Sequence, residues 1–501
     1  MAGAEETIAT ARAANALRRA GRMDEAIALL RAETARAPRD PAAWANLADC
    51  LAAANRPDLA LAAWERVLTL APRSVPALVG KGRALQALAR PAEAAGAFEA
   101  ALAAAPEAGE ARFSLAMLAF DAGSLDSAAA HAARLPDTPA AKWLAARIAA
   151  ARGEFERARD ILQAMAPGLA DAPRADALML LGSVLDRLGE PSRAFRAALD
   201  GKAIQHRLFA PRAAGREGET AKLKRLAAWF ETADPAPWAT APDPYTDEAN
   251  GHVFLVGFPR SGTTLLEQAL AGHSDIVALE EAPTLADAYQ EFLTGPDGLS
   301  RLARIDPSEA DRWRGRYWQV VRQHGVDPAG RLFLDKAPAG TLNLPLVAKL
   351  FPRAKILFAI RDPRDVVLSC AMNAFQMNAL TYAFTSVAET AACYDAAMTL
   401  ARVYRHVLPL TVKDVRYETL VEDFAGELAA ISAFLGIAFS PTMTDIAGTT
   451  RGRVVRTPSS ADVRGGLNRR GLARWRDYAA ELAPVTDALR PWIEAFGYPA
   501  E

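Results

Sequence analysis

The stretch His252–Leu270, HVFLVGFPRSGTTLLEQAL, decides how the second half of the chain folds. His252 to Val256 is a short apolar run, read as a buried strand. Gly257 to Thr264 follows with glycines in G-x4-G spacing, and Leu265, Leu266, Ala269 and Leu270 then fall at helical spacing. Strand, glycine-containing loop and helix aim backbone N–H groups and a helix N-terminus at an anion. The spacing is that of a nucleotide P-loop, but Thr263-Thr264 stands where the lysine and hydroxyl of that motif belong. The cation sits inside the loop instead, as Arg260. Without the lysine that screens β/γ-phosphates, such a loop suits a nucleotide with one phosphate and another anionic group at its reacting end. It suits a metal-dependent triphosphate poorly.

A hundred positions on, Ala354 to Ile360 reads as a second strand with Arg361 at its end. Asp362 is a natural N-cap, Pro363 an N1 residue, and Val366-Val367-Leu368 begin a helix. Ser369 lies on the same helix face as Asp362, which brings its hydroxyl under the strand end that carries Arg361. Leu332-Phe333-Leu334 is a further strand and places Lys336 at a strand end, where ligands of α/β folds bind.

Toward the N-terminus the texture changes to a repeat. Ala-Pro recurs at Ala37-Pro38, Ala71-Pro72 and Ala105-Pro106, a period of 34. Trp44, Ala48, Leu51, Ala60 and Trp64 shift by that period onto Leu78, Gly82, Leu85, Ala94 and Phe98. Small residues at Ala48/Ala60 and Gly82/Ala94 let two helices approach, and Pro72 and Pro106 end the second helix of each unit. The pattern resembles the tetratricopeptide repeat. Gly153 to Ala158 and Gly189 to Ala194 resemble later turns between paired helices, which gives about six repeats over 7–205 after a tail at 1–6. A helical pattern at Thr220 to Thr232 and the Pro-rich Asp234 to Pro244 make 206–250 a linker, with the α/β domain at 251–501.

Pro259 to Thr264 is similar to the 5′-phosphosulfate loop of sulfotransferases that use 3′-phosphoadenosine-5′-phosphosulfate (PAPS), and Arg361 with Ser369 resembles the pair holding that nucleotide's 3′-phosphate. The likeness runs over about 250–480 and lies nearest to tyrosylprotein sulfotransferases and to bacterial proteins joining tetratricopeptide repeats to such a domain. It implies an N-terminal all-α repeat solenoid followed by a C-terminal α/β P-loop-type domain with a central parallel sheet. It implies PAPS as co-substrate, bound by Arg260, Ser261, Gly262, Thr263, Thr264, Arg361, Ser369, Tyr417 and Arg474. It makes Glu281 the general base, with Glu280 the alternative, Lys336 the cation at the bridging oxygen, and Ser459 a partner of the sulfuryl group. The acceptor it implies first is a tyrosine-containing protein or peptide; a glycan or small molecule stays open. The family's arginine four residues after the helix serine is Asn373 here, its late lysine-proline is Gly465-Gly466, and positions that are cysteines in secretory members are Ala278 and Leu334.

Composition bounds the rest. With 58 basic and 59 acidic residues in 501, a nucleic-acid coat is not expected. No apolar run reaches membrane-spanning length and Met1 to Arg19 has no secretory core. Cys50, Cys370 and Cys393 lie far apart, so neither a disulfide framework nor a cysteine zinc site is expected, and the expected home is the reducing cytoplasm. His252, His273, His324 and His406 show no metal-ligand spacing, and no metal is expected. Eight arginines against Asp462 between Arg451 and Arg476 read as a basic flap over the bisphosphate. The repeats have no chemistry of their own and suit a protein partner or self-association. Two other readings remain: a P-loop kinase or NTPase, and a non-catalytic repeat scaffold.

Overall fold

The computed structural model describes residues 2–239, 245, 247–446, 448 and 469–500. The chain divides into two compact units, Met1–Leu169 and Ala170–Glu501.

The first unit is a succession of paired helices. Pro41–Ala53 with Pro57–Leu70, and Val75–Ala87 with Pro91–Ala104, are the two pairs whose sequences superimpose by the 34-residue shift. Proline supplies the fixed φ of the first helical turn at Pro41, Pro57 and Pro91. A left-handed residue turns the chain between the helices of each pair, at Asn55, Ala89, Gly123 and Gly153. Alanines with no exposed surface (Ala48, Ala60, Ala94) line the close approach, and Trp64 and Phe98 fill what remains. Gly82 faces Phe98 so closely that a Cβ there would overlap the ring.

A sixth pair, Asp171–Arg187 and Pro191–Ala213, falls in the second unit. The division of the compact units therefore comes at Leu169/Ala170, upstream of the 205/206 boundary expected from sequence, and the helix Pro191–Ala213 runs straight through 205. The physical reason is what this pair packs on. Tyr478 and Arg474 both bond Asp186, Ser192 bonds Glu481, and His206 reaches Thr385 and Tyr382. The segment expected as a linker is packed too. Its helix Glu219–Glu231 buries Leu223, Leu226 and Phe230, with Phe230 edge-on to Tyr404 at 4.9 Å between ring centroids.

At the centre of the second unit lies a five-stranded parallel sheet in the order β2-β3-β1-β4-β5: β1 Gly251–Gly257, β2 Ile276–Glu280, β3 Leu332–Lys336, β4 Lys355–Ile360 and β5 Thr411–Arg416. β1, β3 and β4 are buried almost throughout, as strands covered on both faces must be. The chain leaves β1 toward β2 and leaves β4 toward β5, in opposite directions, so a crevice opens between the ends of β1 and β4. Gly257 is paired with Ala359 across it, and a Cβ there would sit 2.7 Å from the Ala359 carbonyl. No helix among the described residues is long and apolar enough to cross a membrane.

Packing in the repeats gives a two-sided test. Gly82→Val should cost roughly 1–3 kcal/mol by overpacking against Phe98. Gly96→Ala, in a helix where a Cβ meets nothing, should stabilise by roughly 0.5–1 kcal/mol. Urea unfolding of the two variants should move the midpoint in opposite directions.

Candidate active site

Every strand of the sheet ends at a residue singled out from sequence or beside one. β1 runs into the loop Gly257–Gly262, β2 into Glu281, β3 ends on Lys336, β4 runs into Arg361 and β5 into Tyr417. Parallel order puts all of these ends on one edge.

The loop after β1 is held in a conformation that ordinary residues avoid. Arg260 and Gly262 have φ of +74° and +93°, and the helix Thr263–Leu270 starts directly after them. Ser261, Thr263 and Thr264 are buried. The ring of Tyr417 lies against Gly262 where a side chain would otherwise project. Left-handed non-glycine residues cost on the order of 1–3 kcal/mol each and persist where surroundings enforce them. Among the described residues of the second unit they are Arg260, Glu281 and Ala473, each in or next to this edge.

The loop after β1 and the Arg361/Ser369 pair converge. Arg260 donates from Nε to Ser369 Oγ at 2.8 Å, and Arg361 donates from Nη1 to the Arg260 carbonyl at 2.9 Å and from Nη2 to the Gly471 carbonyl at 2.6 Å. Asn373, where the family has arginine, donates to the Ser369 carbonyl and hydroxyl at 2.8 and 3.2 Å. Asp362 caps the following helix by accepting from the Arg364 N–H. Arg361 is buried beneath Tyr417, 4.7 Å from the ring centroid; among the described residues its nearest carboxylate is Asp365 at 4.0 Å and its Nε has no hydrogen-bond partner. A buried guanidinium so poorly neutralised fits an anionic ligand. Burial pushes Asp365 up to about 6, against the pull of Arg361.

Lys336 lies on the other side of the crevice with 0% exposure, and three carboxylates surround its ammonium: Glu281 at 2.8 Å, Glu280 at 3.1 Å and Glu267 at 3.5 Å. Burial works against the charge, but Glu267, Glu281 and Glu280 together outweigh it and hold the ammonium above the ordinary lysine range. The backbone locks the pair as well, because the Glu281 N–H donates to the Lys336 carbonyl at 2.8 Å. Glu281 is 47% exposed and lines a cavity of about 690 Å³ with Arg260, Gly262, Thr263 and Thr264. Glu280 is not among the residues lining that cavity. Its far wall is the segment Ala374 to Phe384.

Arg474 turns to Asp186 at 2.6 Å, on the sixth helix pair, rather than to Arg361. Ser459 lies outside the described residues, as does most of the arginine-rich stretch. Sequence reasoning missed Glu267, whose only signal was its position one turn after Thr263 on the loop helix, and Asp335, a buried acid beside Lys336.

Residues 252–441 match the model of the sulfotransferase family, and residues 12–75 and 79–137 match that of the tetratricopeptide repeat. An uncharacterized protein of Aquifex aeolicus is 23% identical over 245 residues, covering 48% of this chain and 32% of that protein. Protein-tyrosine sulfotransferase 1 of Mus musculus is 32% identical over 123 residues, covering 23% of this chain and 33% of that protein. The chain thus spans about a third of the length of either relative. Among solved structures, the sulfotransferase domain of the Synechococcus PCC 7002 olefin synthase aligns at a TM-score of 0.33 and 23% identity, covering 47% of this chain and 92% of that domain. The N-terminal region of the chain is thus a tetratricopeptide-repeat array, and its C-terminal part carries a sulfotransferase-family domain.

The loop's dependence on glycine is testable without any ligand. Gly262→Ala combines a left-handed φ with a clash against the Tyr417 ring. It should lower the unfolding free energy by about 1–3 kcal/mol, read by denaturant titration.

Proposed function

We propose that the sulfotransferase-family domain moves a sulfuryl group from PAPS to an acceptor hydroxyl, with protein tyrosine as the first acceptor to try. The observation that carries this is the pairing of a lysine-free anion loop with Arg361 and Ser369 on one side of the crevice and Lys336 with Glu281 on the other. The acceptor class rests on the name of the mouse relative.

Sulfuryl transfer resembles phosphoryl transfer in passing through a loose, in-line transition state that the protein positions and neutralises. The backbone N–H groups and side chains of Arg260, Ser261, Gly262, Thr263 and Thr264 would hold the 5′-phosphosulfate. Arg361, Ser369 and Tyr417 would hold the nucleotide's far end. Arg474 would join them by exchanging Asp186 for phosphate. The acceptor oxygen bonds to sulfur as the bond from sulfur to the bridging oxygen breaks. Adenosine 3′,5′-bisphosphate leaves, and Lys336 neutralises the charge growing on that oxygen. The acceptor's proton passes to the carboxylate of Glu281. Its exposure in the cavity favours it over Glu280 for this role. Ser459 would assist at the sulfuryl oxygens. The repeats would hold a protein partner or a second copy of the chain.

Labelled PAPS incubated with the protein and a panel of tyrosine peptides, glycans and phenols should label one class of hydroxyl. Glu281→Gln should lower turnover roughly 10²–10⁴-fold with bisphosphate affinity little changed. Lys336→Ala should cost rate, about 10²–10³-fold, and Arg361→Ala should weaken nucleotide binding. Full turnover in Glu281→Gln would remove the base assignment. Magnesium-dependent ATP hydrolysis would favour an NTPase, and tight bisphosphate binding with no transfer to any acceptor would favour the scaffold.

A further inference from the structure

The main cavity continues past its inner wall. Ala282, Ala337, Ala339, Gly340 and Asn343 line both that cavity and a second pocket of about 220 Å³. The neck between them is made mostly of small side chains. At Gly340 a Cβ would lie 2.9 Å from Val256 Cγ1 and 3.3 Å from the Ala337 Cβ, so even one methyl group would narrow the passage. Beyond the neck the walls are apolar, with Phe254, Val256, Leu285, Leu342 and Val347.

One charged side chain lines this apolar space. Asp335 is 1% exposed and belongs to β3, immediately before Lys336. Its Oδ2 accepts from the Tyr317 hydroxyl at 2.7 Å and from Thr284 Oγ1 at 2.8 Å. Tyr317, having donated its proton there, accepts from His252 Nε2 at 2.8 Å, so the chain of donors runs from His252 through Tyr317 to Asp335. That chain is spent entirely on Oδ2. Oδ1 takes no hydrogen bond from any described group, and no described lysine or arginine pairs with it. Burial pushes the carboxyl up to about 6, while Tyr317 and Thr284 hold it lower than burial alone would. A buried carboxylate oxygen without a described partner, on a residue that lines an apolar pocket, is costly. An occupant that brings a donor removes that cost; one that brings an anion adds to it.

We infer that this side pocket is an acceptor subsite that takes an apolar arm of about one ring, ending in an amine or a hydroxyl that donates to Asp335 Oδ1. The size follows from the volume, since an apolar protein cavity of about 150 Å³ suffices for benzene. The role as acceptor subsite rests on the sulfotransferase reading of the main cavity; the affinity for a donor-ended arm does not. An acceptor would reach in through the small-residue neck while its reacting hydroxyl stays beside Glu281. The subsite thereby selects among acceptors by what lies next to the hydroxyl rather than by the hydroxyl itself.

The test is calorimetric titration of the full chain, with and without saturating adenosine 3′,5′-bisphosphate, using three probes of one shape: benzylamine, benzyl alcohol and ethylbenzene. Benzylamine and benzyl alcohol should bind roughly 10- to 100-fold more tightly than ethylbenzene. Ala286→Trp, at an exposed position on the rim, should abolish binding of all three and leave bisphosphate affinity unchanged. Asp335→Asn should remove the advantage of the amine. Equal affinity for the three probes, no binding of any, or undiminished binding to Ala286→Trp would overturn the subsite. If the bisphosphate fails to bind while the probes behave as expected, the sulfotransferase reading fails and the donor-selective pocket stands. If the bisphosphate binds and transfer occurs, the probes should inhibit in competition with the acceptor; inhibition in competition with PAPS alone would take the pocket out of the acceptor site.

Discussion

An ammonium ion sealed from water has to be neutralised by the protein, and in this chain that requirement falls on Lys336. The parallel register sets Lys336 opposite Glu280 on β2 and opposite Leu255 on β1. Glu281 then has to turn back over the strand end, which it does with φ at +49° and its N–H on the Lys336 carbonyl. Glu267 comes from the helix that follows the anion loop, so the position of that helix is tied to the same ammonium. One buried charge thus couples β2 and β3 to the helix that follows the loop leaving β1.

On the opposite side of the crevice Arg260 and Arg361 lie together, Arg260 donating to the Ser369 hydroxyl and Arg361 to the backbone carbonyls of Arg260 and Gly471. Carbonyl oxygens satisfy the geometry of a guanidinium but do not cancel its charge.

The parts legible in the sequence are those set by neighbours along the chain. The anion loop, the Asp362 cap with Pro363 after it, and the 34-residue helix pairs all follow from spacing and local sterics. The parts that were not legible depend on residues far apart. Nothing local marks Asp186 as the partner of Arg474, or Tyr317 as the donor to Asp335. The sixth helix pair turns on a left-handed residue, Gly189, as the other pairs do, so its sequence assigns it to the repeats. Only its outer face, through Asp186, Ser192 and His206, gives its attachment away.

That attachment bears on the far wall of the cavity. The cavity wall Ala374 to Phe384 lacks a strand to fix it, and the helix Pro191–Ala213 supplies the support. Thr385 spends its hydroxyl proton on the Tyr382 carbonyl at 2.6 Å, so it can only accept from His206 Nδ1 at 2.9 Å. His206 Nε2 and the Tyr382 hydroxyl meet at 3.0 Å, with the two rings stacked at 4.6 Å. Lys202, on the same helix, lies 5.0 Å from the ring of Phe375, and burial pushes it down to about 8. The residues that hold this wall lie outside the segment that matches the sulfotransferase family, 252–441. The loop side of the crevice is built by that segment almost alone, whereas the far wall of the cavity is shaped in part by the helix Pro191–Ala213, which lies before it.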